Sequence, residues 1–305
     1  MVIVNALGLV SVALALVLAP LLQGVIHRTK AFFAGRQGAP VWQPYYDLAR
    51  LLGKGAVYSR TTTWIFVAGP VVGLASLLVA LTLMPLGGAS AFLAFPGDLV
   101  LMLYLLGLLR FVTVLAALDT GSSFEGMGAS REVTFAALAE PPVFLALAIL
   151  ARKTGALSLS GIMSGISPTL WVTAGPMLAL LATALFFVFL AENARIPVDD
   201  PNTHLELTMI HEVMVLDHSG PDFAMILYGA SLKLWLLGSL VVGLVLPAGL
   251  PWFLAWPAAV GGLLLLAVLT GVVESTMARL RLHKVPQFLV GALIMTLLAL
   301  VLGAR

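Results

Sequence analysis

The chain has 305 residues, 61% of them hydrophobic and 10% charged, with a formal net charge of +2 and a mean hydropathy of +1.08. That is far more apolar side chain than a soluble domain buries, so a bilayer must take up the excess and the protein is integral to a membrane. The absence of cysteine excludes disulfides, thiolate nucleophiles and Cys-ligated zinc or iron–sulfur clusters. The small positive charge follows loop position and forms no nucleic-acid-binding patch.

The first element, MVIVNALGLVSVALALVLAPLLQGVIHRTK, is apolar for about twenty-five residues, uncharged before that run and basic after it, the pattern of an uncleaved first span and not of a signal peptide. Runs of this kind predict helices at 2–26, 62–84, 98–118, 133–150, 170–191, 223–247, 252–273 and 285–303. The fold class is therefore all-α, with eight transmembrane helices in one polytopic domain, 1–305. Loops 27–61, 119–132, 192–222 and 274–284 hold Arg28, Lys30, Arg36, Arg50, Lys54, Arg60, Arg131, Arg195, Arg279, Arg281 and Lys284, against Arg152, Lys153 and Arg305 on the other side. This bias predicts that those four loops are cytoplasmic and both termini outside.

The first loop is long and aromatic. Pro44 opens a short helix from Tyr45 to Leu52 that lays Tyr45, Leu48, Leu51 and Leu52 on the interface, with Arg50 and Lys54 toward headgroups. Interfacial anchoring, docking of a soluble partner and the mouth of a tunnel for a lipophilic substrate are all open to it.

Three charges fall inside spans: Arg110 in the third, Glu140 in the fourth just before Pro141 and Pro142, and Lys233 in the sixth. An isolated charge at mid-bilayer costs roughly 2.5–3.5 kcal/mol, so each is expected to face the bundle interior and find a partner or water. Carboxylates recur from the loops inward, as Asp119, Glu125, Glu132 and Glu140, then Glu192, Asp199, Glu206 and Glu212. Either a structural ion-pair set or a hydrated proton path fits, and the change of depth along both series favours the path. Glu274, at the end of the seventh span, is expected to pair with Arg279.

Residues 192–222 concentrate the titratable chemistry, with seven of the fourteen carboxylates and three of the five histidines. Thr203 and Glu206 form a capping box that predicts a helix running to about Leu216. At about 100° per residue, His204, Thr208, His211 and Glu212 share one side, while Glu206, Ile210, Val213 and Asp217 share the other. Beside Ile210 and Val213, Glu206 would lose solvation and its pKa would rise toward neutrality; a plain capping carboxylate is the alternative. His204, His211 and His218 recur every seven residues, but HEVMVLDH is not the HExxH zinc arrangement, so cavity wall or proton relay is preferred to metal binding.

ARIPVDD and the acidic stretch after it, LDTGSSFEGMGASRE, GRQGAPVWQPYYDLARLLGK and MARLRLHKVP together resemble the subunit-1 family of respiratory complex I over nearly the whole chain. Within it the chain is most similar to the branch found in energy-converting, membrane-bound NiFe hydrogenases of the formate hydrogenlyase type. Quinone-reducing members carry a Gly-Pro-Asn-Arg type sequence where GRQGAPVWQP lacks Asn and Arg, and a GGLRAxAQxxSYE-like fourth span where this chain has GASREVTFAALAE. By motif position, Arg195 and Asp199 match the family's Arg-x-Pro-Phe-Asp, with Val198 for Phe. Glu206 and Glu212 match acidic positions of the following loop, and Glu140 matches a buried glutamate of the fourth span. Asp217-His218-Ser219-Gly220 stands where Glu-Tyr-Ser-Gly is usual, so His218 is a departure that supplies a group titrating near neutrality.

The resemblance implies a non-redox membrane subunit that anchors a peripheral iron–sulfur and hydrogenase-type arm in the cytoplasmic membrane of a bacterium or archaeon, coupling it to antiporter-like subunits. The expected relay and coupling residues are Glu206, Glu212, Glu140, Asp199, Glu192, Asp217, His218, Lys233 and Arg110. Arg195, Asp119, Glu125, Arg131, Glu132 and Arg36 are expected at loops and interfaces. No cofactor is expected in this chain, the iron–sulfur clusters and NiFe centre belonging to partners. The competing readings are a quinone-site subunit of a complex I-type NADH dehydrogenase, a purely structural anchor, and a stand-alone transporter, against which the lack of an evident inverted repeat speaks.

Overall fold

A computed structural model describes residues 3–200, 209–246 and 248–303. Ten α-helices follow in order: α1 Ala6–Phe33, α2 Gln43–Leu52, α3 Trp64–Leu83, α4 Asp98–Asp119, α5 Ser123–Thr154, α6 Leu159–Gly165, α7 Pro168–Glu192, α8 Gly220–Val245, α9 Trp252–Thr276 and α10 Val285–Gly303. All but α2 and α6 are long and apolar enough to cross a membrane, and these eight match the predicted spans one for one. The protein is thus a nearly all-helical integral membrane protein. Besides the helices, Ile3–Val4 (β1) pairs antiparallel with Leu93–Ala94 (β2).

Local chemistry sets the helix starts. Asn5, Thr63, Ser158 and Ser167 each accept a hydrogen bond from a first-turn amide of the helix that follows. Pro44 and Pro168 sit in first turns, where a missing amide donor costs nothing. The predicted loop helix is present as α2, has no buried residue, and is fastened to α1 by Tyr45 Oη donating to the Val17 carbonyl.

Apolar burial does not drive helix pairing where lipid is equally apolar, so close approach through small residues does more of the work. On α3, a Cβ at Gly69 would lie 2.9 Å from Ala116 Cβ of α4, and one at Gly73 2.9 Å from Leu109 Cδ1. That contact packs α3 tightly along the half of α4 that carries Arg110. Of the eight spans α8 is the most buried and α4 the least. Lys233 therefore lies on the innermost helix and Arg110 on a peripheral one, whose Tyr104 and Phe111 face outward.

The fourth predicted span is extended toward its N-terminus. It begins at Ser123, so Glu125, Arg131 and Glu132 are on the first turns of α5 and not in a loop. Hydropathy marks the stretch that lipid solvates, and the polar SFEGMGASRE is helical without being apolar.

Candidate functional site

A continuous series of ion pairs joins α8, α7, α4, α5 and the segments 193–200 and 209–217. Lys233 Nζ lies 2.7 Å from Glu192 Oε2, and Arg110 Nη2 donates to Glu192 Oε1 at 2.6 Å. Arg110 Nε donates to Glu132 Oε1 at 3.0 Å, and its Nη1 to Glu140. Glu132 Oε2 lies 3.1 Å from His211 Nε2, whose Nδ1 is 3.4 Å from Asp199 Oδ2. Arg279 Nη2 closes the series on Asp199 Oδ1 at 2.8 Å. One guanidinium with its fixed fork of donors thus holds carboxylates from two helices, and one imidazole bridges one of these, Glu132, to Asp199.

Three cations meet four carboxylates in this series, so a proton on His211 brings it to neutrality. Burial disfavours the charged ring, but Glu132 and Asp199 outweigh burial and raise the His211 pKa above the ordinary histidine value. Burial also opposes charge on Asp199, yet His211 and Arg279 hold its carboxyl below the usual range. The neighbouring Glu212 differs. Burial, reinforced by Asp199 and Asp200 against the pull of Arg195 and His211, pushes its carboxyl up to about 7. A carboxyl near 7 beside an imidazole whose pKa its acidic partners raise is a pair able to exchange a proton.

Side chains bonded to the backbone place these groups. Among the described residues, the predicted helix to Leu216 is instead a single 3-10 turn, Glu212–Val215. Asp199 Oδ2 accepts from the amides of Ile210 and His211 at 3.1 Å each, and Glu125 Oε1 accepts from the Asp217 amide at 3.1 Å. These carboxylates satisfy amides that a regular helix would bond internally. Ile210, Val213 and Met214 are buried, and a Cβ at Gly128 of α5 would lie 2.3 Å from Val213 Cγ1. Arg131 Nη1 adds a hydrogen bond to the Met209 carbonyl at 2.8 Å. Positions 125, 128, 131 and 132 share one side of α5, and segment 209–217 lies along it.

His211 and Glu212 both open onto a cavity of about 660 Å³, also lined by Arg110, Glu192, Lys233 and Arg195 at its charged end and by apolar residues of α3 and α8. His218 lines it too, buried and stacked on Phe66 with ring centroids 3.9 Å apart. Burial, only partly offset by Asp222 and Asp217, lowers the His218 pKa, so this ring is neutral at pH 7. It is a cavity wall and not a second charged histidine.

Other expectations fall outside the described residues or need correcting. Glu206, His204 and the Thr203 capping box lie outside the described residues; the carboxyl raised to about neutrality within them is Glu212. Glu140 does not point inward: its side chain is 61% exposed on the flank of the bundle while still reaching Arg110. Glu274 pairs with Lys30 and Arg195, and Arg279 with Asp199, because α9 crosses α1 and its following loop folds over segment 193–200. Asp119 stands apart, accepting from the Thr63 amide and hydroxyl at 2.6 and 2.8 Å and so tying the end of α4 to the start of α3. Arg36 is exposed in the first loop. His211, which the sequence placed with His204 and His218 as cavity wall or proton relay without singling it out, stands at the junction of the series, and Glu274, expected only as a partner of Arg279, anchors a second cluster.

Among the described residues, eight apolar spans and a branching, largely buried charge network define a polytopic membrane protein with ionisable groups in its interior, in a chain with no thiolate donors for a metal cluster. The chain belongs to the NADH dehydrogenase family of complex I subunit 1-like proteins, whose model matches residues 5–304. It is similar to hydrogenase-4 component C of Escherichia coli K12, 33% identical over 279 residues covering 89% of this chain and 87% of that one. Formate hydrogenlyase subunit 4 of the same organism is 32% identical over 280 residues, 88% and 89% of the two chains. A chain in the structure of the membrane-bound sulfane sulfur reductase, an archaeal respiratory membrane complex, shares the fold at a TM-score of 0.79 and 21% identity, over 96% of this chain and 98% of that one.

Proposed function

We propose that this chain, a membrane subunit of a complex I-like energy-converting hydrogenase, passes protons between its 193–217 segments and neighbouring membrane subunits. The observation that carries this reading is the unbroken series Asp199–His211–Glu132–Arg110–Glu192–Lys233, with Glu140 branching from Arg110 to the outer flank. Redox change in a peripheral arm shifts the charge balance at His211 and Glu212; a proton taken up there displaces the pairing of Glu132 with Arg110, and Glu192, Glu140 and Lys233 respond in turn. The relay set extends to Asp217 and to Glu206; Glu125, Arg131 and Arg195 hold the segments that carry it, and Asp119 ties the end of α4 to α3. The chain itself performs no redox chemistry. Iron–sulfur clusters and the NiFe centre reside in partner subunits, antiporter-like subunits adjoin it, and it lies in the cytoplasmic membrane of a bacterium or archaeon with both termini outside.

Proton translocation per redox turnover in vesicles tests this. Glu140→Gln and Glu206→Gln complexes should retain turnover and lose most translocation; full translocation in both would end the relay reading. The cavity supports a second reading, since an apolar chamber with a charged end suits a lipid-soluble quinone. Quinone-dependent oxidation by the purified complex, lost without this subunit, would favour it.

A further inference from the structure

A second buried charge cluster lies on the α1–α9 side, outside the series just described. The Glu274 carboxylate is fully buried; Lys30 Nζ is 2.8 Å from its Oε2 and Arg195 Nη1 3.5 Å from its Oε1. The helix crossing builds this contact. A Cβ at Gly271 would lie 2.6 Å from Thr29 Cβ, so α9 meets α1 closely there; Glu274 follows one turn later, over Lys30, the neighbour of Thr29. Arg195 arrives from the turn after α7, its amide bonded to the Leu190 carbonyl, and the Leu280 amide donates to the Pro197 carbonyl, both at 2.9 Å. The end of α9 and its following loop thereby grip segment 195–199 at three places: Glu274 on Arg195, Leu280 on Pro197 and Arg279 on Asp199.

Arg195 is buried and shares the wall of the cavity with Glu212 and His27. We propose that Glu274 is a positioning residue for Glu212, holding Arg195 and Lys30 in place and setting the net charge that the Glu212 carboxyl meets across the cavity. The inference deepens the proton-transfer reading and rests on it for its purpose. With Glu274 ionised the cluster presents one net positive charge; without it, two. The other titratable and charged groups around Glu212 are Asp199 and Asp200 from its partner segment, His211 beside it, His218 farther along its own segment, His27 on α1, Arg110 on α4, Glu132 and Arg131 on α5, Glu192 on α7 and Lys233 on α8. Of these, His27 also faces Lys30 and Glu274 and feels both charges, so each titration is repeated in a His27→Gln background, where the expected shifts should persist.

The test reads the Glu212 proton directly. In the purified complex, infrared titration follows the carboxyl C=O band that Glu212→Gln abolishes. Wild type should show a midpoint of about 7. Glu274→Gln, leaving two cations uncompensated, should move it acid by about one pH unit, and Lys30→Met, removing one cation, should move it alkaline. The double variant restores the charge and should return toward wild type, which loss of packing alone would not produce. Unmoved midpoints, or shifts of the same sign, overturn the proposal. If Glu274→Gln does not assemble, Lys30→Met decides alone: an alkaline shift supports the proposal, and an unmoved or acid-shifted midpoint ends it. Failure of the relay reading shows separately, as full proton translocation by Glu212→Gln.

Discussion

Two ends of the bundle use buried carboxylates in opposite ways. At the end bearing β1–β2 and α6, Asp98 is fully buried at the start of α4 and accepts the Leu159 amide at 2.7 Å. At the other end Glu132, Glu192 and Asp199 meet Arg110, Lys233, Arg279 and His211. Asp98 has an amide and no ionisable group as its side-chain partner, so it joins α4 to α6 without a neighbour to hand a proton to. A carboxylate facing cations and an imidazole sits in a balance that one proton can tip. The partner, more than the acid, decides whether burial makes structure or chemistry.

The largest effect should follow loss of Arg110. Arg110→Met takes the guanidinium from three carboxylates, leaving buried Glu132 with only His211 and buried Glu192 with only Lys233 in the series, at a cost of about 3–5 kcal/mol by the usual consequence of removing one side of a buried pair. Little assembled complex should appear on native gels of the membranes. Near-normal assembly would mean that water carries more of the charge than the pairing indicates. Asp98→Asn should cost less, about 1–3 kcal/mol, and the complexes that do assemble should translocate protons normally. A specific loss of translocation there would erase the contrast between the two ends.

Smaller effects sharpen the contrast. Glu212 is raised from the ordinary 4.5 to about 7, so the folded state binds the extra proton. Stability relative to Glu212→Gln is greatest below pH 4.5, declines as pH rises to about 7 and is level above it. Thermal unfolding of the two complexes across that window should therefore diverge in favour of the Gln variant; a constant difference would place the proton elsewhere. His211, raised by its acidic partners, contributes in the same direction: its stabilisation is present below its unfolded pKa and is lost as pH rises through the folded one. Hydrogen exchange at the amides of 209–217 should accelerate at alkaline pH, and less so in His211→Gln.

The spans were legible because lipid solvation imposes long apolar runs, and the intramembrane Arg110, Glu140 and Lys233 were legible because the bilayer makes such charges conspicuous. Their partners were not. Whether Glu140 faces inward or along the flank depends on helix rotation, which eight uniformly apolar helices do not encode in any one segment. Pairing Glu274 with Arg279 followed nearness in the chain, whereas the α1–α9 crossing at Gly271 puts Lys30 there instead. The helix expected through 209–216 was a sound local reading that Asp199 and Glu125 overrode by bonding the segment's amides from outside it.

Glu192 joins Arg110 to Lys233, and Glu192→Gln interrupts the series at that point while leaving Arg110 paired with Glu132 and Glu140. Proton translocation per redox turnover by Glu192→Gln complexes in sealed vesicles should fall about tenfold or more while turnover continues. Translocation at the wild-type ratio in an assembled Glu192→Gln complex would show that the ion pairs hold the protein together and do not carry protons.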